Sequence, residues 1–122
     1  MSSFNSVVVV GRVTRDPELR YSASGTPICS FSIATSRRIT KASGERVNEI
    51  TLLDVVAHRR LGEICAQFIM KGREVLVMGT LRQTRWVDPK TKEPQSKLKV
   101  VAQQIQFLGR TKPQEDETAK PE

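Results

Sequence analysis

Aromatic side chains and metal-binding residues are scarce in this chain of 122 residues. It contains one tryptophan, one tyrosine, one histidine and two cysteines. Cys29 and Cys65 form no Cys-x-x-Cys pair, and His58 alone does not complete a usual zinc site with them. We therefore expect no metal, no cofactor and two reduced, buried thiols, in preference to a disulfide.

Segments that would direct the chain to a membrane are also missing. The sequence has neither the run of about 20 apolar residues that a transmembrane helix needs nor a Lys-rich amphipathic helix. Its apolar start, MSSFNSVVVVGRV, lacks a preceding cationic region and a small-residue cleavage site. We expect no membrane partner and a chain that stays in the compartment of its synthesis, the cytoplasm.

Catalytic groups are equally sparse. Asp54, His58 and Glu63 are candidate acid or base groups, but no nucleophile accompanies them. The sequence also lacks a phosphate-binding glycine loop. An enzyme is therefore the least favoured reading, and we expect a binding protein.

Positive charge, by contrast, is abundant and uneven. Residues 1–109 contain 17 Lys and Arg against 9 Asp and Glu, whereas residues 110–122 contain 3 against 4. Such a field favours a polyanionic partner, with nucleic acid or an anionic surface first among the candidates. The length fits one domain, over residues 1–109, and the polar segment 110–122 is expected to be a disordered tail.

Hydrophobic periodicity predicts five strands and one helix. The strands are expected at residues 5–15, 28–36, 49–58, 74–87 and 96–109, with Gly79 at a bulge and residues 39–47 in a long loop. Leu61, Ile64, Cys65, Phe68 and Ile69 recur at helical spacing, and Gly72 follows in the place of a C-terminal glycine. Three strands, a helix and two strands form the chain order of an OB-fold, an all-β Greek-key barrel. We expect its strands to be antiparallel.

Four successive valines in the first strand predict that both faces of this strand are covered. They are Val7, Val8, Val9 and Val10. A second protomer is one possible cover, and a loop or the helix is the other.

The fourth strand places the only tryptophan among cations. Thr80, Arg82, Thr84 and Trp86 share one face by strand alternation. A tryptophan beside an arginine offers a stacking surface for a base and a cation for a phosphate. The alternative is that Trp86 packs in the barrel with its indole N–H bonded to backbone. Other cations recur near element ends and suggest a groove that follows a phosphate backbone: Arg12 and Arg15, Arg37 and Arg38 with Lys41, Arg59 and Arg60, and Lys71 and Arg73.

Three segments together give the sequence a recognisable pattern. VGRVTRDPELRYSASGTPICSFSIATSRR, LGEICAQFIMKGREVLVMGTLRQTRW and VVAQQIQFLGR resemble the bacterial single-stranded DNA-binding proteins of the homotetrameric type, over residues 4–109. The resemblance implies an OB-fold that binds single-stranded DNA without sequence preference. It also implies a homotetramer that protects the strand during replication, recombination and repair.

The resemblance further assigns roles to individual positions. The family's base-stacking positions fall on Ile39, Leu52, His58 and Trp86, where relatives usually have Trp or Phe. Its phosphate-contacting positions fall on Arg60, Lys71, Arg82 and Asp54. A carboxylate at position 54 is expected to repel the ligand, and the lost aromatics are expected to weaken binding.

The end of the sequence departs from the family. Relatives typically close on an acidic run and Ile-Pro-Phe that recruits replication and repair proteins, whereas this sequence ends EDETAKPE. Recruitment of such partners through that tip is therefore in doubt. An accessory paralogue that binds DNA weakly and holds other proteins stays open as the alternative function.

Overall fold

The computed structural model describes residues 2–109, which form six strands and one helix. In chain order these are β1 (Val7–Val13), β2 (Glu18–Tyr21), β3 (Pro27–Thr40), β4 (Arg46–His58), α1 (Arg59–Phe68), β5 (Glu74–Val87) and β6 (Pro94–Leu108). The tail predicted at residues 110–122 lies outside the described residues.

Five of the strands close into a barrel. The sheet order is β1-β5-β6-β4-β3-β2, and a further pairing of Arg12 and Val13 with Ala34 and Ile33 joins β1 to β3. The helix follows β4 and packs against β3 and β4. This arrangement confirms the predicted OB-fold.

The inward-facing positions of the strands form the core. Ile33 on β3, Val55 on β4, Val75 and Val77 on β5 and Val100 on β6 are fully buried. Cys29 and Cys65 are free and buried in the same cluster, so neither forms a disulfide. Burial raises the pKa of both thiols, that of Cys65 to about 12, because a thiolate loses its hydration there.

The pairing corrects several sequence predictions. The ladder between β3 and β4 continues to Thr40 and Arg46, so the predicted loop 39–47 is in fact two paired strand ends joined by a short turn. The expectation of an all-antiparallel barrel was wrong for one pair, because β4 and β6 run parallel at Val55–Val100. Residues 18–21, where no separate strand was predicted, form the short strand β2, which pairs with β3.

The two predicted glycine positions have different outcomes. The ladder of β5 and β6 shifts register between Met78 and Gly79, which confirms the bulge. A Cβ at Gly79 would lie 2.1 Å from the Val101 carbonyl oxygen, so no side chain fits there. Gly72 has a φ of 89° but does not end the helix, which stops at Phe68. It closes the turn that follows.

Two hairpins extend beyond the barrel. One is formed by the ends of β3 and β4, and the other, which we call the β5–β6 arm, by residues 82–87 and 94–99. Side chains of the arm are exposed on both faces, so backbone pairing rather than a core holds it together. No helix in residues 2–109 is long and apolar enough to cross a membrane.

Candidate nucleic-acid interface

The outward face of the β5–β6 arm combines the tryptophan with cations. Arg82 pairs with Lys99, Thr84 with Lys97 and Trp86 with Gln95. Directly paired residues in an antiparallel ladder point to the same face, so Lys97 and Lys99 join Arg82 and Trp86. Trp86 remains 46% exposed, which contradicts the alternative that it is packed inside the barrel.

This face continues across the sheet into a groove. Val101 on β6 pairs with Val56 on β4, and Val56 pairs in turn with Ser30 on β3. Because the outward positions of neighbouring strands are in register, a continuous surface runs from the arm to β2. The groove is lined by Arg15, Arg20, Ile28, Ser30, Ser32, Asp54, Val56, His58, Lys97 and Lys99.

The groove is electrostatically positive around His58. Desolvation lowers the pKa of this imidazole, and the charges of Lys99, Arg82 and Arg59 lower it further. These cations disfavour a protonated ring, so the imidazole is largely neutral at pH 7. A phosphate placed here would find the same cations.

Asp54 is paired rather than free. Lys97 Nζ lies 2.5 Å from Asp54 Oδ2, and Ser32 Oγ donates a hydrogen bond of 2.8 Å to Oδ1. The bond from Lys97 lowers the pKa of Asp54, desolvation raises it, and Ser32 and the charge of Arg15 lower it. The expected repulsion of a ligand by this carboxylate is therefore reduced by the lysine that neutralises it.

Of the four stacking positions, the register brings three to this face. Trp86, His58 and Leu52 lie on outward positions, and Leu52 is 68% exposed beside Asp54. Ile39 has the opposite parity on β3 and pairs with Val47 on the other face of the hairpin. A stacking role for Ile39 stays a prediction that this geometry does not support.

Arg37 and Lys41 belong to the same region of the β3–β4 hairpin. Arg37 shares the face of Ile39, and its Nε lies 2.9 Å from Glu49 Oε1. Lys41 begins the hairpin turn, in which its N–H donates to the Glu45 carbonyl. Neither residue lines the groove, so DNA contacts by both also stay predictions.

The remaining predicted cations surround α1 and the turn after it. Arg60 Nη1 lies 3.4 Å from Glu63 Oε1, and Arg12 Nη1 donates to the Gly72 carbonyl at 3.1 Å. Arg73 Cζ lies 5.0 Å from the centre of the Phe107 ring, a cation–π arrangement that favours a packing role. Lys71 lies in the turn itself. None of these four residues lines the groove, so their DNA contacts stay predictions.

Three groove cations escaped the sequence analysis: Arg20, Lys97 and Lys99. The alternation of Lys97 and Lys99 around Leu98 was a usable signal, because a hairpin through DPKTKEP places them opposite Thr84 and Arg82. Arg20 carried no such signal, since the strand that contains it was not predicted. Among residues 2–109, no three His, Cys, Asp or Glu side chains are grouped so as to hold a metal ion.

The four successive valines of β1 alternate between the core and the outer surface of the barrel. Val7 and Val9 pack against the core, whereas Val8 is 59% and Val10 42% exposed. Val8 pairs with Met78 on β5, which is also exposed. An apolar strip therefore lies on the outside of the barrel.

Comparison with known proteins shows the family of this chain. Residues 4–108 match the model of the single-strand binding protein family. The chain belongs to this family. It is 41% identical over 109 residues to the single-stranded DNA-binding protein of Treponema pallidum, covering 89% of this chain and 60% of that protein. It is 40% identical over 110 residues to the Thermotoga maritima protein of the same name, covering 90% of this chain and 77% of that one.

A solved structure of the family has the same fold. The Plasmodium falciparum SSB in complex with single-stranded DNA superposes with a TM-score of 0.82 at 21% identity, covering 89% of this chain and 98% of that one. The family match confirms the resemblance seen in the sequence, and this superposition confirms the OB-fold. The chain spans about three fifths of the length of the Treponema protein.

Proposed function

We propose that this chain binds single-stranded DNA without sequence preference and protects it. The observation that supports this most directly is that the exposed Trp86 ring shares one outward face of the sheet with Arg82 and Lys99. Relatives at 40 and 41% identity are named for the same activity.

The proposed mechanism combines two contacts that ignore sequence. Lys99, Arg82, Arg15 and Arg20 neutralise phosphates along the groove, and the release of their counterions favours binding. A base stacks on Trp86, which any base can do because each has a π-face. The base that stacks on Trp86 is not available to pair with a complement.

The same face argues for binding rather than catalysis. Asp54 and His58 are both outward on β4, but four residues of strand separate their Cα atoms by roughly 13 Å. The two groups therefore cannot share a proton directly. We infer a non-enzymatic role in replication, recombination and repair, in the cytoplasm at the nucleoid.

Assembly is part of the proposal. The strip of Val8, Val10 and Met78 is apolar and outward, as expected of a surface covered by another protomer. We assign it to the interface of a homotetramer, or at least a homodimer. Residues 1–109 would then be the assembling and DNA-binding unit, and 110–122 its tail.

One observation favours a second candidate, an accessory paralogue with weak DNA affinity. Leu52 is exposed on the binding face where the resemblance implies an aromatic ring, so one stacking surface is lost. Only millimolar-range affinity for DNA, together with capture of a helicase or primosome component, would favour this candidate.

A titration with oligo(dT) at several salt concentrations tests the proposed function. If Arg15, Arg20, Arg82 and Lys99 each neutralise one phosphate, log K falls with log salt at a slope of roughly −3, from about −0.7 for each phosphate. Oligonucleotides of mixed sequence should bind with similar affinity, and duplex DNA of equal length more weakly. No binding at low salt, or tighter binding of the duplex, would contradict the proposal.

A further inference from the structure

Asp54 is the one carboxylate among the described residues that line the groove. Its neighbours there include Arg15, Arg20, Lys97 and Lys99. Both of its oxygens are engaged, Oδ2 by Lys97 and Oδ1 by Ser32. The groove therefore contains its own anion, bound where a phosphate would bind.

Lys97 occupies a central place on the binding face. It pairs with Thr84, one outward position from the Trp86–Gln95 pair and one from the Arg82–Lys99 pair. A strand that passes from the Trp86 ring into the groove must pass this ammonium group. Lys97 is 64% exposed, so a phosphate can approach it, while Asp54 is less exposed at 37%.

We propose that Asp54 acts as an internal competitor for the DNA backbone, holding Lys97 in an ion pair that a bound phosphate must displace. This inference rests on the proposed function and adds an affinity-setting residue to it. Lys97 meets the strand already neutralised, so it brings no free positive charge and releases no counterion. Asp54 thereby weakens binding and flattens its salt dependence.

The consequence is a surface that releases DNA readily. While Lys97 holds Asp54, the strand is held by the other groove cations and by Trp86. When a phosphate does take Lys97, Asp54 keeps the hydrogen bond from Ser32 and remains near Arg15. The exchange therefore leaves the carboxylate hydrogen-bonded, so it is reversible.

Asp54→Asn tests the inference because the amide has the shape of the carboxylate and can still accept the hydrogen bond from Ser32. It carries no negative charge, so it cannot form an ion pair with Lys97. The binding of fluorescein-labelled oligo(dT) is measured by anisotropy at salt concentrations spanning a tenfold range. The variant should bind more tightly, with a slope steeper by about 0.7. Its advantage over the wild type should grow about fivefold for each tenfold drop in salt.

Two further variants show whether the effect acts through Lys97. Lys97→Gln leaves the Asp54 carboxylate without its partner, so it should bind more weakly with a slope no steeper than the wild type. The double variant Asp54→Asn with Lys97→Gln lacks both charges and should keep the wild-type slope. Glu45→Gln removes the same charge from an exposed position in the β3–β4 turn and should also keep the wild-type slope. Far-UV circular dichroism melts confirm that each variant is folded.

Each result decides between the claims. An unchanged slope in Asp54→Asn, equal steepening in Glu45→Gln, or steepening that persists without Lys97 would overturn the competitor role while the wild type still binds. Failure of every variant and of the wild type to bind oligo(dT) would contradict the proposed function, and the inference with it.

Discussion

Replacing Trp86 with alanine removes the proposed stacking surface and little else. The side chain lies on the exposed β5–β6 arm, paired with Gln95, and contributes nothing to the buried core. A base stacked on an aromatic ring contributes about 1 to 3 kcal/mol, or roughly 5- to 150-fold in affinity. We expect Trp86→Ala to weaken oligo(dT) binding by about tenfold or more, with the melting temperature nearly unchanged.

The neighbouring residue provides a matched control for this prediction. Val87 is exposed and apolar but points to the opposite face of the arm, so Val87→Ala should leave the affinity unchanged. Anisotropy of a labelled oligonucleotide measures both variants, since intrinsic fluorescence is lost with the tryptophan. An unchanged dissociation constant in Trp86→Ala, or an equal loss in Val87→Ala, would refute the stacking argument.

Three other predictions follow from the groove, the bulge and the apolar strip. Desolvation and then the charges of Lys99, Arg82 and Arg59 lower the pKa of His58. Bound phosphates offset those charges and favour the protonated ring, so affinity should rise as the pH is lowered from neutral. His58→Gln should abolish that rise, and a pH-independent wild type would contradict the assignment. Gly79→Ala forces a Cβ against the Val101 carbonyl, and a cost of about 1 to 3 kcal/mol should lower the melting temperature by at least about 4 °C. Val8→Lys with Val10→Lys should shift the mass measured by light scattering towards the monomer without unfolding the chain. A mass unchanged from wild type would exclude this strip from the interface.

The sequence predicted those parts of the fold that bury a face. Val75 and Val77 alternate into the core, so periodicity located β5, and Gly79 marked its bulge. Periodicity failed where no face is buried. The ends of β3 and β4 pair through their backbones while their side chains stay mostly exposed, so residues 39–47 looked like a loop.

The binding site was predictable in part for a related reason. Alternation within one strand was enough to place Arg82 beside Trp86. The groove, however, depends on pairing between strands distant in sequence, and the ion pair of Asp54 with Lys97 joins β4 to β6. No local pattern shows that the carboxylate at position 54 has a lysine to neutralise it.

The emission of Trp86 during titration with oligo(dT) at low salt tests the central claim most directly. Because this is the only tryptophan in the chain, the signal reports the proposed stacking surface alone. Quenching that saturates with the anisotropy of the same oligonucleotide is the predicted result. Binding seen by anisotropy without any change in tryptophan emission would contradict it.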